Sequence, residues 1–167
     1  MQFDDALAQQ PVTNVSWFAA EAYCESEGAR LPIWHEWEMA AAADETRHDA
    51  RNDPVWRERI LGWYSQASGK ELAAVGLTPK NAWGVYNMHG LVWEWVEDFS
   101  GMMISADSRE RGDTDILRFC GAGATSTQDN DNYAILMRVA MLSSLTAPQS
   151  TRNTGFRCAR DDKENSQ

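Results

Sequence analysis

The chain has 167 residues and a formal net charge of −10 at pH 7, and this length suits one domain with a sizeable core. Because binding to phosphates requires clusters of Lys and Arg, the charge argues against a nucleic-acid partner. No apolar run is long enough to span a bilayer and no secretory signal is visible, so we expect a cytoplasmic protein that does not bind a membrane. Eight Trp residues indicate an irregular fold that is stabilised by large aromatic contacts. We expect the core to include Trp17, Trp37, Trp93, Trp95 and Phe156.

The first part of the chain predicts a short helix behind a polar leader. Residues 1–10 are polar, and we expect them to form a loose lead-in. Ser16 can cap a helix that runs to about Glu27. The residues of this helix that we expect to face inward are Ala20, Tyr23 and Cys24.

Two further helices follow. The stretch Trp34–Arg47 predicts a helix with Trp34, Trp37 and Ala41 on its inner face, because they follow the i, i+3, i+7 spacing. The stretch Val55–Tyr64 predicts a shorter helix that carries more Trp residues.

The stretch Asn81–Asp98, NAWGVYNMHGLVWEWVED, contains three Trp residues and two Gly turns. Alternation across Val92–Val96 predicts a short strand after a turn. One side-chain amide, two backbone carbonyls and one carboxylate could meet at this turn, and such hard oxygen donors suit Ca²⁺. The four donors would come from Asn87, Gly90, Val92 and Glu94. Alternatively, the aromatic residues are core and Glu94 is a half-buried acid with satisfied hydrogen bonds.

The last third of the chain predicts short strands between polar loops. The candidate strands are Ile116–Cys120, Tyr133–Leu142 and a final one at Phe156–Ala159. The tail, residues 161–167, is polar and is expected to be disordered.

Neither the cysteines nor the histidines form a recognisable metal or catalytic motif. The residues in question are Cys24, Cys120 and Cys158, and His35, His48 and His89. The cysteine spacing matches neither a CxxC metal site nor a dense disulfide framework. Two of the histidines lie at opposite ends of one predicted helix and the third lies in the turn, so they are expected to be surface or supporting residues rather than metal ligands.

Three ordered segments resemble one family. Asn81–Asp98 is similar to the signature N-x-W-G-L-Y-D-M-x-G-N-V-W-E-W of the formylglycine-generating enzyme (sulfatase-modifying factor) family. Pro11–Ala43 and the GFRCAR of Gly155–Arg160 resemble two other motifs of this family. The resemblance implies an α+β domain over residues 11–160 with the loop-rich, C-type-lectin-like fold of the family, in which two helices lie against short, irregular antiparallel strands.

The resemblance also implies local features. The four oxygen donors at the turn match a structural calcium site of the family. Cys24 and Cys158 occupy positions that are bridged in some members. The family usually has Thr-Glu where this chain has Ile33-Trp34, so the start of the second helix is expected to be weak for want of a cap. The usual N-terminal section of the family is not matched.

Formylglycine-generating enzymes bind copper through two cysteines, and this chain is expected to lack them. Counting back from Arg138, which fits a family arginine, the two positions fall at Asp129 and Ala134. Thiolates are the ligands that suit Cu(I). We therefore expect no copper and no formylglycine-generating oxidase activity.

Two functional hypotheses follow. The chain is predicted to be a pseudoenzyme of this family, acting as a binding or accessory module, or else an altered oxidoreductase. The alternative is a variable protein of a diversity-generating retroelement, which binds a protein or a small molecule through residues 121–154. Their polar composition suits adaptable contacts, and it equally suits a solvated loop. The predicted ligand-binding residues are Thr125, Asp129, Asn132, Tyr133, Arg138, Ser144, Thr146, Arg152 and Asn153.

Overall fold

The computed structural model describes residues 9–65, 72–102 and 133–161, and the structural statements below concern these residues. Their elements in chain order are α1 (Trp17–Ser26), α2 (Trp34–Ala41), α3 (Pro54–Tyr64), β1 (Trp93–Trp95), a 3₁₀ helix (Phe99–Met102), α4 (Tyr133–Ser143) and β2 (Thr154–Phe156). The α+β class is confirmed. The described part contains four α-helices, whereas the local patterns predicted three and the family resemblance implied two. The predicted strand Ile116–Cys120 lies outside the described residues.

Helix α1 begins as predicted. The Ser16 hydroxyl accepts a hydrogen bond of 3.2 Å from the backbone N–H of Ala19, which satisfies one of the free donors of the first turn. Ala20 and Cys24 are buried. The prediction for Tyr23 was wrong, because its side chain is 55% exposed and only the ring contacts Phe156.

Helix α2 receives its cap from a distant part of the chain. Ile33 offers no side-chain cap, as the sequence indicated. Instead, the Asp98 carboxylate accepts a 2.7 Å hydrogen bond from the N–H of Trp34. The Glu36 carboxylate accepts from the N–H of Ile33 at 3.0 Å. A carboxylate at this position also complements the positive end of the helix dipole, so the start of the helix is satisfied.

The inner face of α2 is confirmed, because Trp34, Trp37 and Ala41 are all buried. The helix is shorter than predicted and ends at Ala41 instead of Arg47. Beyond it, the Asp44 carboxylate accepts hydrogen bonds from the chain that follows, including the N–H of Arg47 at 2.6 Å. Such local side-chain bonds compete with helix continuation.

Helix α3 agrees with its prediction to within one residue. Pro54 occupies the first turn, where its missing N–H costs nothing. The Asp53 carboxylate caps the helix by accepting from the N–H groups of Val55 and Trp56, at 2.9 and 3.3 Å.

The segment predicted as the strand Tyr133–Leu142 is a helix, α4. Its buried residues are Ala134, Ile135, Arg138 and Leu142, and their spacing is that of one face of a 3.6-residue period. An apolar run of this length does not by itself distinguish a buried strand from a buried helix, which explains the error.

The two described strands pair in parallel, with Trp93 opposite Thr154 and Trp95 opposite Phe156. The prediction of antiparallel strands was therefore wrong for this pair. Antiparallel pairing is limited, in the described part, to a bridge between Arg30 and Ala159. The strand predicted at Val92–Val96 is confirmed, since β1 lies within it. The strand predicted at Phe156–Ala159 is displaced, because β2 ends at Phe156 and shares only this residue with the prediction.

The core lies where α1, α2, α4 and β1 meet. Of the predicted core residues, Trp37 and Trp95 are buried, while Trp17 and Phe156 are partly buried and pack against the same cluster. Trp93 is only partly buried. A disulfide joins Cys24 to Cys158 over 134 residues of chain, as the resemblance implied. None of the described helices is long and apolar enough to cross a membrane.

Candidate functional site

The turn before β1 has a backbone that only particular residues tolerate. Asn87 and Gly90 adopt positive φ angles of 53° and 84°, the left-handed region that Asn and Gly favour. A Cβ at position 90 would lie 3.1 Å from the Cβ of Trp63. Glycine at position 90 therefore allows both the positive φ angle of the turn and the close approach of Trp63 on α3.

The Glu94 carboxylate on β1 is fully engaged by protein groups. Arg157 donates to its two oxygens from Nε and Nη2, at 2.5 and 2.7 Å. The indole N–H of Trp37 donates to Oε2 at 2.7 Å. The same guanidinium also donates to the backbone carbonyls of Tyr86 and Asn87, at 3.3 and 3.4 Å. Arg157 therefore joins the turn to the strand.

The two predicted calcium ligands that would bind through their side chains, Asn87 and Glu94, are occupied by protein groups. Both Glu94 oxygens accept hydrogen bonds from Arg157. The side-chain oxygen of Asn87 accepts one from the N–H of Gly76 at 2.7 Å. Only the carbonyls of Gly90 and Val92 would remain, and Ca²⁺ requires six to eight oxygen ligands. The donor set in this arrangement does not fit the ion unless Arg157 moves, and calcium binding stays a prediction. The described residues contain no cluster of three or more acidic, His or Cys side chains that could hold a metal.

A second polar group is buried between α2, α3 and α4. Arg138 donates to both oxygens of Glu38 at 2.6 Å. It also donates from Nη1 to the hydroxyl of Tyr64 at 3.1 Å. The Nε2–H of His89 donates to the carbonyl of Ala41 at 2.7 Å. Its Nδ1 is therefore free to accept from the Tyr64 hydroxyl at 3.3 Å. We call Glu38, Arg138, Tyr64 and His89 the buried polar chain.

Burial decides the charges in the buried polar chain. Burial, the largest single influence, lowers the pKa of Arg138, but the electrostatic interactions with and hydrogen bonds to Glu38 and Tyr64 together outweigh burial and leave this pKa above its ordinary range. Burial, aided by the positive charge of Arg138, lowers the pKa of His89 from 6.5 to about 3. Burial also raises the pKa of Tyr64. Near neutral pH the buried polar chain therefore contains one ion pair, Glu38 with Arg138, and two neutral side chains, Tyr64 and His89.

A cavity of about 210 Å³ lies beside this chain, against α3. Its lining includes Trp56, Arg59, Ile60, Met88 and His89. None of its lining residues belongs to residues 133–154, the described part of the predicted binding surface.

The predicted binding surface is only partly described. Thr125, Asp129 and Asn132 lie outside the described residues. The residues that the structure leaves exposed are Tyr133, Ser144, Thr146 and Arg152, with Asn153 partly exposed. Arg138 does not belong to this surface, since its side chain is 6% exposed and paired with Glu38. That assignment was wrong, because the helical period of α4 turns position 138 inward.

Sequence reasoning missed the partners of the site residues. Arg157 lies in the recognised GFR motif, but nothing in its local sequence points to Glu94, which is 63 residues away. His89 was assigned to a surface or supporting role. Its position between apolar Met88 and a glycine was the only local signal of burial. Tyr64 and Glu38 carry no signal, because helices that approach in space supply their partners.

The comparison with known families assigns the domain. The Sulfatase-modifying factor enzyme 1-like domain matches residues 2–162, nearly the whole chain. The chain therefore belongs to the formylglycine-generating enzyme (sulfatase-modifying factor) family, which the turn, the WEW strand and the GFR segment had indicated.

Among its relatives, the formylglycine-generating enzyme of Thermomonospora curvata is 35% identical, with 90% of this chain and 55% of the relative aligned. The inactive C-alpha-formylglycine-generating enzyme 2 of Bos taurus is 30% identical, with 89% and 50% aligned. The hercynine oxygenase of Mycobacterium tuberculosis is 42% identical over 96 residues, which cover 55% of this chain and 23% of that protein. The chain thus spans about half the length, or less, of these relatives. No solved structure gives a significant match.

Proposed function

We propose that this chain is a binding or accessory module of the formylglycine-generating enzyme family that lacks the copper-thiolate oxidase chemistry. The observation that carries the proposal is the environment of position 134. Ala134 is 2% exposed and packs in a cluster with Trp56 and Ile60. If this position corresponds to one of the copper cysteines, a methyl group that contacts aromatic core replaces the thiolate there.

The supply of thiols supports the same proposal. The sequence contains three cysteines, and the disulfide between Cys24 and Cys158 uses two of them. Cys120 is then the one thiol of this sequence, whereas a Cu(I) site built from cysteines needs at least two. The similarity to an inactive relative and to hercynine oxygenase is compatible both with a binding module and with an altered oxidoreductase.

Metal analysis and an oxidation assay test the proposal. The purified protein is analysed for copper and iron, then loaded anaerobically with Cu(I), and oxygen consumption is followed with a cysteine-containing peptide. We expect less than one tightly held copper per chain, and oxygen consumption no faster than with the Cys120→Ala variant. One copper or iron per chain together with peptide-dependent oxygen consumption would overturn the proposal.

A gain-of-function variant sharpens the comparison. Asp129→Cys combined with Ala134→Cys restores two thiols at the matched positions, and we expect it to retain more Cu(I) than the native protein. The matched control is Ala140→Cys combined with Asp129→Cys, since Ala140 is exposed on α4. Equal copper retention by the two variants would show that position 134 is not the ligand position.

The alternative, a diversified binding protein, has one structural observation in its favour. The connection between α4 and β2, residues 144–153, exposes Ser144, Thr146 and Arg152 to solvent and contains a hydrogen bond from the N–H of Thr146 to the side chain of Gln149. A reverse transcriptase gene and a near-repeat of the 3′ end beside the coding sequence would support it. Their absence, together with an unchanging sequence of this loop in related strains, would count against it.

A further inference from the structure

The cavity against α3 is built largely from aromatic and apolar side chains. Its volume is about 210 Å³, and its lining includes Trp56, Ile60, Trp63, Val85, Met88 and His89. An apolar cavity of roughly 150 Å³ is enough to bind benzene. A bicyclic aromatic molecule therefore fits the space.

The aromatic rings of the wall are held in fixed orientations. The Trp56 ring meets His89 edge-on, with centroids 5.8 Å apart, and the Trp63 ring is tilted against the same imidazole at 5.9 Å. Both nitrogens of His89 are used by the Tyr64 hydroxyl and the Ala41 carbonyl. The wall thus offers ring edges and faces, which prefer aromatic partners, and no free imidazole nitrogen.

The charged groups of the lining are already paired with protein groups. Arg59 donates two hydrogen bonds to Glu45, at 2.8 and 3.1 Å, and both side chains are about 40% exposed. Asp44 is bonded to Arg47 and to the backbone N–H groups of Thr46 and Arg47. A charged ligand would have to break one of these pairs, whereas a neutral ligand would not.

We propose that this cavity is a binding site for a small, neutral, planar aromatic molecule. Trp56 and Trp63 provide the aromatic contacts, and Ile60, Val85 and Met88 provide apolar surface. Arg59 and Glu45 neutralise each other in the same lining. The site is separate from the loop surface discussed above, so its failure would leave the copper proposal untouched.

A matched series of three probes tests the proposal: indole, indole-3-acetate and tryptamine, which are neutral, anionic and cationic at pH 7. We expect saturable binding of indole with a Kd on the order of 1 mM, the range for a fragment of this size. The two charged analogues should bind at least about threefold more weakly, because their charges find no free partner. Tighter binding of indole-3-acetate or tryptamine, or no saturation by indole, would overturn the proposal.

Nuclear magnetic resonance of the native, ¹⁵N-labelled protein locates the probe without any substitution. Indole should shift the side-chain N–H resonances of Trp56 and Trp63. The resonance of Trp83 should not move, since this side chain is 47% exposed and does not line the cavity. Shifts confined to Trp83 would place the probe on the surface and refute the site.

A cavity-filling variant completes the test. Val85→Phe adds a ring to the lining, and we expect it to weaken indole binding at least about tenfold. The control is Val55→Phe, because Val55 is 74% exposed in the first turn of α3 and does not line the cavity. If Val85→Phe does not fold, Thr78→Phe, at another residue of the lining, replaces it. Indole affinity that is unchanged in a folded lining variant would refute the proposal.

Discussion

Arg138 of α4 and Glu38 of α2 form a two-bond ion pair in the interior, with both N–O distances at 2.6 Å. The pair joins segments that are 100 residues apart in sequence. The guanidinium also lies 5.0 Å from the centroid of the Trp37 ring and 5.7 Å from that of Tyr64. Because Tyr64 belongs to α3, a single arginine connects three helices.

Removing Arg138 should therefore destabilise the fold strongly. Arg138→Ala leaves the Glu38 carboxylate without its partner in a nearly closed environment, and we expect the free energy of unfolding to fall by about 3–5 kcal/mol. Urea denaturation followed by Trp fluorescence measures it. The control Arg152→Ala, at an exposed position, should change it by less than about 0.5 kcal/mol. Replacing both partners by Met should recover most of the loss, and equal stability of the single variant and the control would contradict the assignment.

The pair of Glu94 and Arg157 makes a second prediction about stability. The Glu94 side chain is 7% exposed and that of Arg157 is 27% exposed. Arg157→Gln should reduce the free energy of unfolding by about 2–4 kcal/mol, somewhat less than for a fully buried pair because water reaches the arginine. The exposed Arg160, which donates one bond to a helix carbonyl, provides the control variant Arg160→Gln. A loss no larger than that of the control would refute the role of Arg157.

Calcium and Arg157 would bind the same carboxylate, that of Glu94, so thermal unfolding with and without calcium tests both. As long as Arg157 occupies the Glu94 carboxylate, the melting temperature of the native protein should be the same in millimolar CaCl₂ and in excess chelator. In Arg157→Gln the Glu94 carboxylate is released, and calcium should then raise the melting temperature if it binds the folded state there. A native melt that drops with chelator would instead support the calcium site that the sequence predicts.

The disulfide should contribute to stability by restricting the unfolded chain. It closes a loop between residues 134 positions apart, for which about 2–5 kcal/mol is expected. Cys24→Ser combined with Cys158→Ser, made in a Cys120→Ser background to prevent exchange, should lower the free energy of unfolding by this amount. The Cys120→Ser protein with and without dithiothreitol provides the matched comparison. Identical unfolding curves under the two conditions would show that the bond is not formed in the purified protein.

The neutral His89 predicts a pH dependence of stability. Its pKa is about 3 in the folded protein and about 6.5 in an unfolded chain. Below pH 6.5 the unfolded state therefore takes up a proton that the folded state does not, and stability falls as the pH falls. The free energy of unfolding should change by close to 1.4 kcal/mol per pH unit towards pH 5, because about one proton is taken up on unfolding. This pH lies above the range in which most carboxyl groups titrate.

Two variants isolate this effect. His89→Gln should lose the slope between pH 6.5 and pH 5, within about 0.3 kcal/mol per unit, and be less stable at pH 7 because the hydrogen bonds of His89 are disturbed. His35→Gln, at an exposed position of α2, should keep the native slope. A native protein whose stability is flat from pH 7 to pH 5 would contradict the burial of a neutral imidazole.

The sequence was informative where neighbours along the chain decide the structure. The Ser16 cap, the inner face of α2 and the position of α3 follow from local spacing and capping. The segment Tyr133–Ser143 was ambiguous, since an apolar run of that length is compatible with either secondary structure. The family was recognisable because its motifs are contiguous.

The tertiary structure decided everything that depends on distant partners. The cap of α2 comes from Asp98, the carboxylate of Glu94 is held by Arg157, and Arg138 turns inward to Glu38. Side chains of one type serve as ligands, ion-pair partners or surface groups, and the burial of each side chain and its nearest charge select among these roles. Those two quantities arise only when segments that are far apart in sequence pack together, and for this reason the sequence alone determined the family and the local helices but not the partners in the site.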